Sequence, residues 1–392
     1  MVMIDAAPNK VELDIARPDF LALTPENLRR IGELRGGLGA TVASFAKLAM
    51  GPGKISFADY IRLRLFDPAM GSAADLRNYV GLRRNLEMCT LANYRRDWHG
   101  MASNKVASLH YLAAYGFPTI PIKAIYAPGM ARRQAAILSD RPDLVRFLSA
   151  PENYPLFGKP AEGFQSLGSI GLKSVSGADG ALLKTNDETT SVDKLADEIV
   201  ANYRSGYIFQ ALARPHQDIV NLCGPHLATV RLITGLTEDG PTVLRGCWKI
   251  PAGGNAADNY WRAGNLLAGL DLGTGEILRA SSGAGLSHQQ HETHPDTGVR
   301  LVGFRHPEWS RMLELAREGA SLMRHMPLIG WDMAYTEQGP VIVEMNEAPD
   351  FSLVQIADRR GIHDETFDRF MAYQAKNAKN YVEDAKKKLA KL

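Results

Sequence analysis

Cysteine is scarce. Cys89, Cys223 and Cys247 are the three in a chain of 392 residues, far apart and in no CxxC spacing. That excludes a disulfide framework and a zinc cluster, and it fits a reducing, cytoplasmic setting. No charge sign dominates either: 45 Lys and Arg against 43 Asp and Glu leave a net charge of +2, so there is no electrostatic case for nucleic acid. No run of about 18 apolar residues occurs. The opening MVMIDAAPNKVELDIARPDF places acidic residues where a signal peptide needs an unbroken apolar stretch. The chain is therefore expected to be soluble and unexported, with no membrane partner. Internal repeats and low-complexity tracts are also missing, which excludes solenoid and fibrous architectures.

What is present reads as an ordinary globular protein, with 45% hydrophobic and 22% charged residues and length enough for two or three packed domains. From Leu23 to about Asp97 the text is helical. LTPENLRRIGELRGGLGATVASFAKLAM opens on a capping Thr with Pro in the first turn, and apolar residues three and four apart recur through SAADLRNYVGLRRNLEMCTLANYRRDW. After Ser103 the texture changes. NKVASLHYLAAYGFPTIPIKAIYAPG predicts a helix and then a strand, ARRQAAILSDRPDLVRFLSA a helix, and PLFGKPAEGFQSLGSIGLKSV a strand, a glycine-rich loop and a strand. VDKLADEIVANYR predicts a helix feeding the strand GYIFQALARPH. HLATVRLITGL, TVLRGCWKIP, NLLAGLDLGTGEILRAS and VIVEMNEAP then form a predominantly antiparallel sheet, with PEWSRMLELAREGASLMRHM as an amphipathic helix. The expected class is α+β. Its expected division is a helical region at 1–102, a first α+β lobe at 103–212, a second at 213–375, and a solvated basic helix at 376–392.

The run VIVEMNEAPD at 341–350 interrupts an aliphatic strand with polar groups. GWDMAYT and PVIVEMN are predicted to pair as a hairpin with Asp332, Glu344 and Asn346 at one end. Glu344 and Asn346, two apart on a strand, point the same way. One reading is a hairpin with a solvated polar face. The other is a site for a hard divalent cation, since magnesium takes one or two protein carboxylates and fills its octahedron with water and phosphate oxygens. Cationic partners for phosphate are on offer: Lys105 opens a helix and Lys159 ends the strand PLFGK. The loop 160–171 after Lys159, including Gly168 and Ser169, suits backbone N–H donation to phosphates, although it has neither GxGxxG nor a Walker A pattern.

In combination these features resemble the ATP-grasp ligases. A helix-opening lysine in NK, the strand GKP, the glycine loop, the hinge strand YIFQAL, and Asp332 followed by Glu344-Met345-Asn346 match that family's pattern in order. HLATVRLITGL, DNYWRAGNLLAGLDLGTGEI, HPDTG, the Trp of PEW and IGWDMAYTEQGPVIVEMN are similar to the sugar-transfer-associated group within it. The resemblance covers roughly Ser103 to Asp358. It implies an ATP-grasp fold, two α+β lobes with antiparallel sheets clamping ATP, preceded here by the helical region. It also implies roles for particular residues: Lys105 and Lys159 on ATP phosphates, Gln210, Ala211 and Leu212 at the adenine hinge, and Asp332, Glu344 and Asn346 on Mg²⁺ or Mn²⁺. Arg231 is implied to steady phosphate or an acyl phosphate, with a sheet-surface ion pair as its alternative. Asn259 is placed at the substrate side or in a turn cap.

Two departures stand out: Gln210 replaces a common hinge carboxylate, and NEAPDF has Asp350 where many members have Gly. SHQQHETHPD offers His288, His291 and His294 at three-residue spacing. A metal-binding helical face is one reading, but the proline opposes it, and a substrate-side loop carrying His294 is the favoured one. The implied activity is an ATP- and magnesium-dependent carboxylate–amine ligase working through an acyl phosphate on small-molecule substrates, with a glycan precursor as the setting the group's name suggests. No protein nucleophile is needed, in keeping with the lack of a GxSxG or activated-cysteine motif. A kinase acting on a sugar or polyol hydroxyl and a non-catalytic nucleotide-binding protein are the alternatives.

Overall fold

The computed structural model describes residues 24–131, 136–163, 167–176, 180–255 and 257–389. The described residues divide into two compact units, one within 120–213 and the other within 24–119 and 214–389. The helical N-terminal region is therefore not a unit of its own, and it shares a core with the sheet of the second half.

The first unit is built on a seven-stranded sheet. Its strands are β1 (Ile122–Tyr126), β2 (Ile137–Leu138), β3 (Leu156–Pro160), β4 (Ile170–Val175), β5 (Ala181–Lys184), β6 (Thr189–Ser191) and β7 (Tyr207–Ala211). They lie in the order β2-β1-β7-β3-β4-β5-β6, antiparallel except for the β1–β2 pair. The segment expected as one helix from Ala131 is split: Ile137 and Leu138 are taken into the sheet as β2, and the helix Arg141–Leu148 starts only after Asp140, whose side chain accepts from the Asp143 N–H. That helix and Val192–Asn202 place Leu144, Leu148, Leu195 and Ile199 against Leu156, Leu172, Tyr207 and Phe209 on the sheet.

The second unit opens with α1 (Pro25–Leu34), α2 (Leu38–Ala49), α3 (Phe57–Arg62), α4 (Leu82–Ala92), α5 (His99–Ser103) and α6 (Lys105–Ala114). As the sequence suggests, Thr24 caps α1, its hydroxyl accepting from the Asn27 N–H at 3.1 Å. In chain order α7 and α8 are the two helices of the first unit, and α9 (Gln217–Cys223), α10 (Trp309–Leu322), α11 (Phe351–Asp358) and α12 (Glu365–Leu389) follow in the second. The basic terminal stretch is the exposed end of α12 rather than a separate helix.

A second seven-stranded sheet, wholly antiparallel, organises this unit: β8 (Thr229–Thr237), β9 (Gly240–Ile250), β10 (Leu266–Leu270), β11 (Ile277–Ser282), β12 (Gln289–His291), β13 (Leu328–Thr336) and β14 (Gly339–Asn346), in the order β12-β11-β10-β9-β8-β13-β14. Strand alternation splits its side chains between two cores. Val230, Leu232, Trp248, Ile329 and Trp331 pack against Trp309, Met312 and Leu315 of α10. Ile233, Cys247 and Leu328 meet Met88 of α4, Val354 of α11 and Phe370 of α12. The unit is thus a helix–sheet–helix sandwich, and polar side chains from the middle strands emerge on the α4/α11 side. No helix among the described residues is long and apolar enough to cross a membrane.

Candidate functional site

The hairpin predicted at the end of the chain forms as β13 and β14. Asp332 faces Glu344 and Gly330 faces Asn346 across it, with a bulge just past Asp332. On its other side β13 sets Asp332 opposite Arg231, and β8 sets Arg231 opposite Cys247. Directly opposed residues of antiparallel strands share a face, so Cys247, Arg231, Asp332 and Glu344 make one row across four strands.

The charges of that row are tightly matched. The Arg231 guanidinium donates from Nε to Asp332 Oδ1 at 2.5 Å and from Nη2 to Oδ2 at 2.8 Å. Lys249, two residues on from Cys247, reaches Asp332 Oδ2 at 3.2 Å and Asp258 Oδ1 at 3.8 Å. Asp258 Oδ2 accepts from the Thr229 N–H at 2.8 Å and from the Thr229 hydroxyl. Lys105 is the first residue of α6, set there by Asn104, whose side chain caps the helix through the Ala107 N–H. From that position its ammonium lies 3.4 Å from Glu344 Oε1. Asn346 donates to the Gly330 carbonyl at 3.4 Å.

Arg231, Lys249, Asp258 and Asp332 are each more than nine-tenths buried. Burial alone would drive the Asp332 carboxyl upward, yet Arg231 and Lys249 overcome it and hold the group well below the usual carboxylate range. For Arg231, burial pulls downward and Asp332 wins, raising it. Asp258 goes the other way: burial dominates the pull of Lys249 and raises it. The network is a set of two cations and two carboxylates, each retained by its neighbours.

These donors suit magnesium in a particular way. Among the described residues no group of three His, Cys, Asp or Glu side chains is placed to hold a metal by itself. Both Asp332 oxygens already face cations. Glu344, about a quarter exposed, and Asn346, two residues along the same strand face, offer the accessible oxygens. An all-oxygen set with few protein ligands fits a cation that completes its shell with water and phosphate.

In the first unit, Lys159 sits on β3 opposite Ile208 and is 6% exposed. Gly168 has φ +75°, and a Cβ there would lie 2.1 Å from the Tyr203 hydroxyl, so glycine is required for space and for conformation. Its carbonyl accepts from the Tyr207 hydroxyl at 2.9 Å, and Ser169 leads into β4. Residues 164–166 of the glycine loop lie outside the described residues. Gln210 is buried with Nε2 donating to the Ile120 carbonyl at 2.8 Å, while its Oε1 is buried with no hydrogen-bond partner among the described residues. Ala211 and Leu212 donate their N–H groups to the Pro121 and Pro155 carbonyls, at 3.1 and 3.3 Å.

The weaker substrate-side candidates have structural employment. Asn259 Oδ1 accepts from the Trp261 N–H, and its carbonyl from Asn265. His294 is 1% exposed; its Nε2 lies 2.9 Å from the Pro251 carbonyl, and its Nδ1 faces the Asp296 and Thr297 N–H groups. The three histidines do not share a helical face, because Gln289–His291 is strand β12, and His291 turns to the Ser282 hydroxyl at 2.8 Å. Sequence reasoning missed Lys249 and Asp258. A lysine inside the apolar strand GCWKIP was the available signal for the first, and the second directly precedes Asn259 in the run DNYWRAG.

Residues 174–369 match the model of a family described as sugar-transfer associated ATP-grasp, which is half of the chain. No curated protein matches. Similar solved structures include the D-alanine-D-alanine ligase of Coxiella burnetii, 11% identical with a TM-score of 0.42, over 74% of this chain and 62% of that one. They also include a D-cycloserine synthetase, 15% identical with a TM-score of 0.39 over 76% and 80%, and the D-alanine–D-alanine ligase of Bacillus anthracis, 12% identical with a TM-score of 0.40 over 72% and 70%. The chain thus spans less than two thirds of the Coxiella enzyme's length.

Proposed function

The chain belongs to the sugar-transfer associated ATP-grasp family, and we propose that it acts as an ATP- and magnesium-dependent ligase joining a carboxylate to an amine through an acyl phosphate. The observation that carries this reading is the row Arg231–Asp332–Glu344 with Lys105 and Lys249 beside it: cations and open oxygen donors on one sheet face.

In the proposed reaction a substrate carboxylate oxygen attacks the γ-phosphorus of ATP, the bond to the β-phosphate oxygen breaks, and ADP leaves. The amine nitrogen then attacks the acyl carbon, inorganic phosphate departs with the C–O electron pair, and the nitrogen gives up a proton. Bound magnesium supplies charge neutralisation on the transferring phosphoryl group. Glu344 and Asn346 would hold it, with Asp332, the third ligand expected from the sequence, beside them and engaged by Arg231 and Lys249 instead. Arg231 is fixed by Asp332 in a planar, preorganised pose suited to a phosphate or acyl-phosphate oxygen, and Lys105 offers a second cation that exchanges Glu344 for phosphate. In the first unit, Lys159 and the backbone at Gly168 and Ser169 serve phosphate, and 210–212 serve adenine. The buried Gln210 Oε1, without a hydrogen-bond partner among the described residues, supports this last role, because a base amino group satisfies an acceptor that is otherwise costly to bury.

The test is ADP and phosphate release from MgATP over pooled carboxylates and amines, with mass spectrometry of each active mixture. A condensed product alongside free phosphate is expected, and Glu344→Gln and Asn346→Ala are expected to abolish it. A product heavier by a phosphoryl group makes the protein a kinase instead, and nucleotide binding without turnover removes the ligase reading.

A further inference from the structure

The helical region at the start of the chain has no assigned part in the chemistry, yet it reaches the far end of β14. Two asparagines of and just beyond α4 do this. Asn93, fully buried, accepts at Oδ1 from the Leu328 N–H at 2.9 Å and donates from Nδ2 to the Leu328 and Glu347 carbonyls, both at 2.7 Å. Asn85, 3% exposed, donates to the Pro349 carbonyl at 3.0 Å and accepts from the Phe351 N–H at 3.0 Å.

The geometry is that of a side-chain amide standing in for a strand. The β13–β14 ladder ends at the Gly330–Asn346 pair, after which β14 departs from its partner. Leu328, at the start of β13, finds in Asn93 a donor and an acceptor spaced like those of a peptide group, and the second Nδ2 hydrogen holds the departing chain at Glu347. Asn85 then takes the first N–H of α11, which has no partner within its own helix. Gln355 completes the attachment, bonded to both the N–H and the carbonyl of Val80. In the segment 347–351 the carbonyls of Glu347 and Pro349 and the Phe351 N–H are satisfied by the N-terminal region rather than by the sheet. An orphaned buried backbone group is costly, so the path of the chain leaving Asn346 is set by these two amides.

We propose that Asn85 and Asn93 are positioning residues for the Glu344–Asn346 end of β14, so that the N-terminal helical region is a working part of the phosphate- and metal-handling site. The inference rests on the proposed ligase reading, since it assigns Glu344 and Asn346 to magnesium. Outer-shell partners of metal ligands typically change affinity by about 10–100-fold when removed. Asn93→Asp keeps the size and the acceptor but turns two donors into acceptors facing carbonyls.

The experiment is calorimetric titration of full-length protein with ADP across a Mg²⁺ series and in EDTA, alongside thermal melting. Asn93→Asp is expected to raise the half-saturating Mg²⁺ about tenfold or more while leaving ADP affinity in EDTA unchanged. Leu48→Ala, in the same helical region and also buried, is expected to lower the melting temperature without moving the Mg²⁺ response, which separates positioning from general loosening. Where Asn93→Asp does not fold, Asn85→Asp, which loses the donors to the Pro349 carbonyl and the Cys89 sulfur, carries the same comparison. A folded variant with the wild-type Mg²⁺ response overturns the proposal. Wild-type protein whose ADP binding ignores Mg²⁺ overturns the ligase reading instead.

Discussion

Arg231 and Asp332 form a two-point pair, Nε to Oδ1 and Nη2 to Oδ2, on adjacent strands in the interior of the second sheet. Arg231 has Asp332 as its ion-pair partner, and Asp332 has Lys249 besides, so removing the arginine leaves a desolvated carboxylate with one cation. Arg231→Met is therefore expected to destabilise the protein by about 3–5 kcal/mol, read as a shift in the urea unfolding midpoint. Adding Asp332→Leu to that variant should recover part of the loss. Single and double variants that are equally unstable would show that Lys249 alone suffices for Asp332.

Metal removal tests the donor set. EDTA is expected to abolish ADP and phosphate release, and both Mg²⁺ and Mn²⁺ to restore it, since the proposed ligands Glu344 and Asn346 offer hard oxygens. Full turnover in excess chelator would remove Glu344 and Asn346 from the site.

Gly168 is held at φ +75° beside Tyr203. Gly168→Ala is expected to cost roughly 1–3 kcal/mol, measured by thermal melting. Combining it with Tyr203→Phe removes the oxygen a Cβ would strike and should return a fraction of that cost, leaving the backbone part. An unchanged melting temperature in Gly168→Ala would mean that the turn can rearrange freely.

His306 supplies a pH dependence. It is 3% exposed, with its ring 4.9 Å from that of Trp248, and burial pushes it down to about 4. A group lowered in this way binds its proton more readily in the unfolded chain. Its contribution to stability is complete above the unfolded value near 6.5 and is lost as the pH falls toward 4. The melting temperature should decline over that window, and His306→Phe should flatten the decline. A slope that survives the substitution would assign it to the other histidines that burial lowers, His288 first, which burial and then Arg64 and Arg359 push down to about 3, with His291 and His325.

Short-range signals were legible without the structure. Thr24 and Pro25 mark the start of α1, period-two alternation and the turn TEQGP mark β13 and β14, and the two-residue spacing of Glu344 and Asn346 puts both on one face, because capping, pleating and tight turns are decided within a few residues. Tertiary structure decided what such windows do not contain. Ile137 and Leu138 read as the front of a helix until β1 provides a parallel neighbour. Lys249 passes unnoticed in an apolar strand until Asp258 and Asp332 close around it. Asn93 lies in a stretch whose sequence reads only as helix, and its partner Leu328 is 235 positions away. A buried amide or charge takes its meaning from the group that satisfies it, and only the fold brings that group to it.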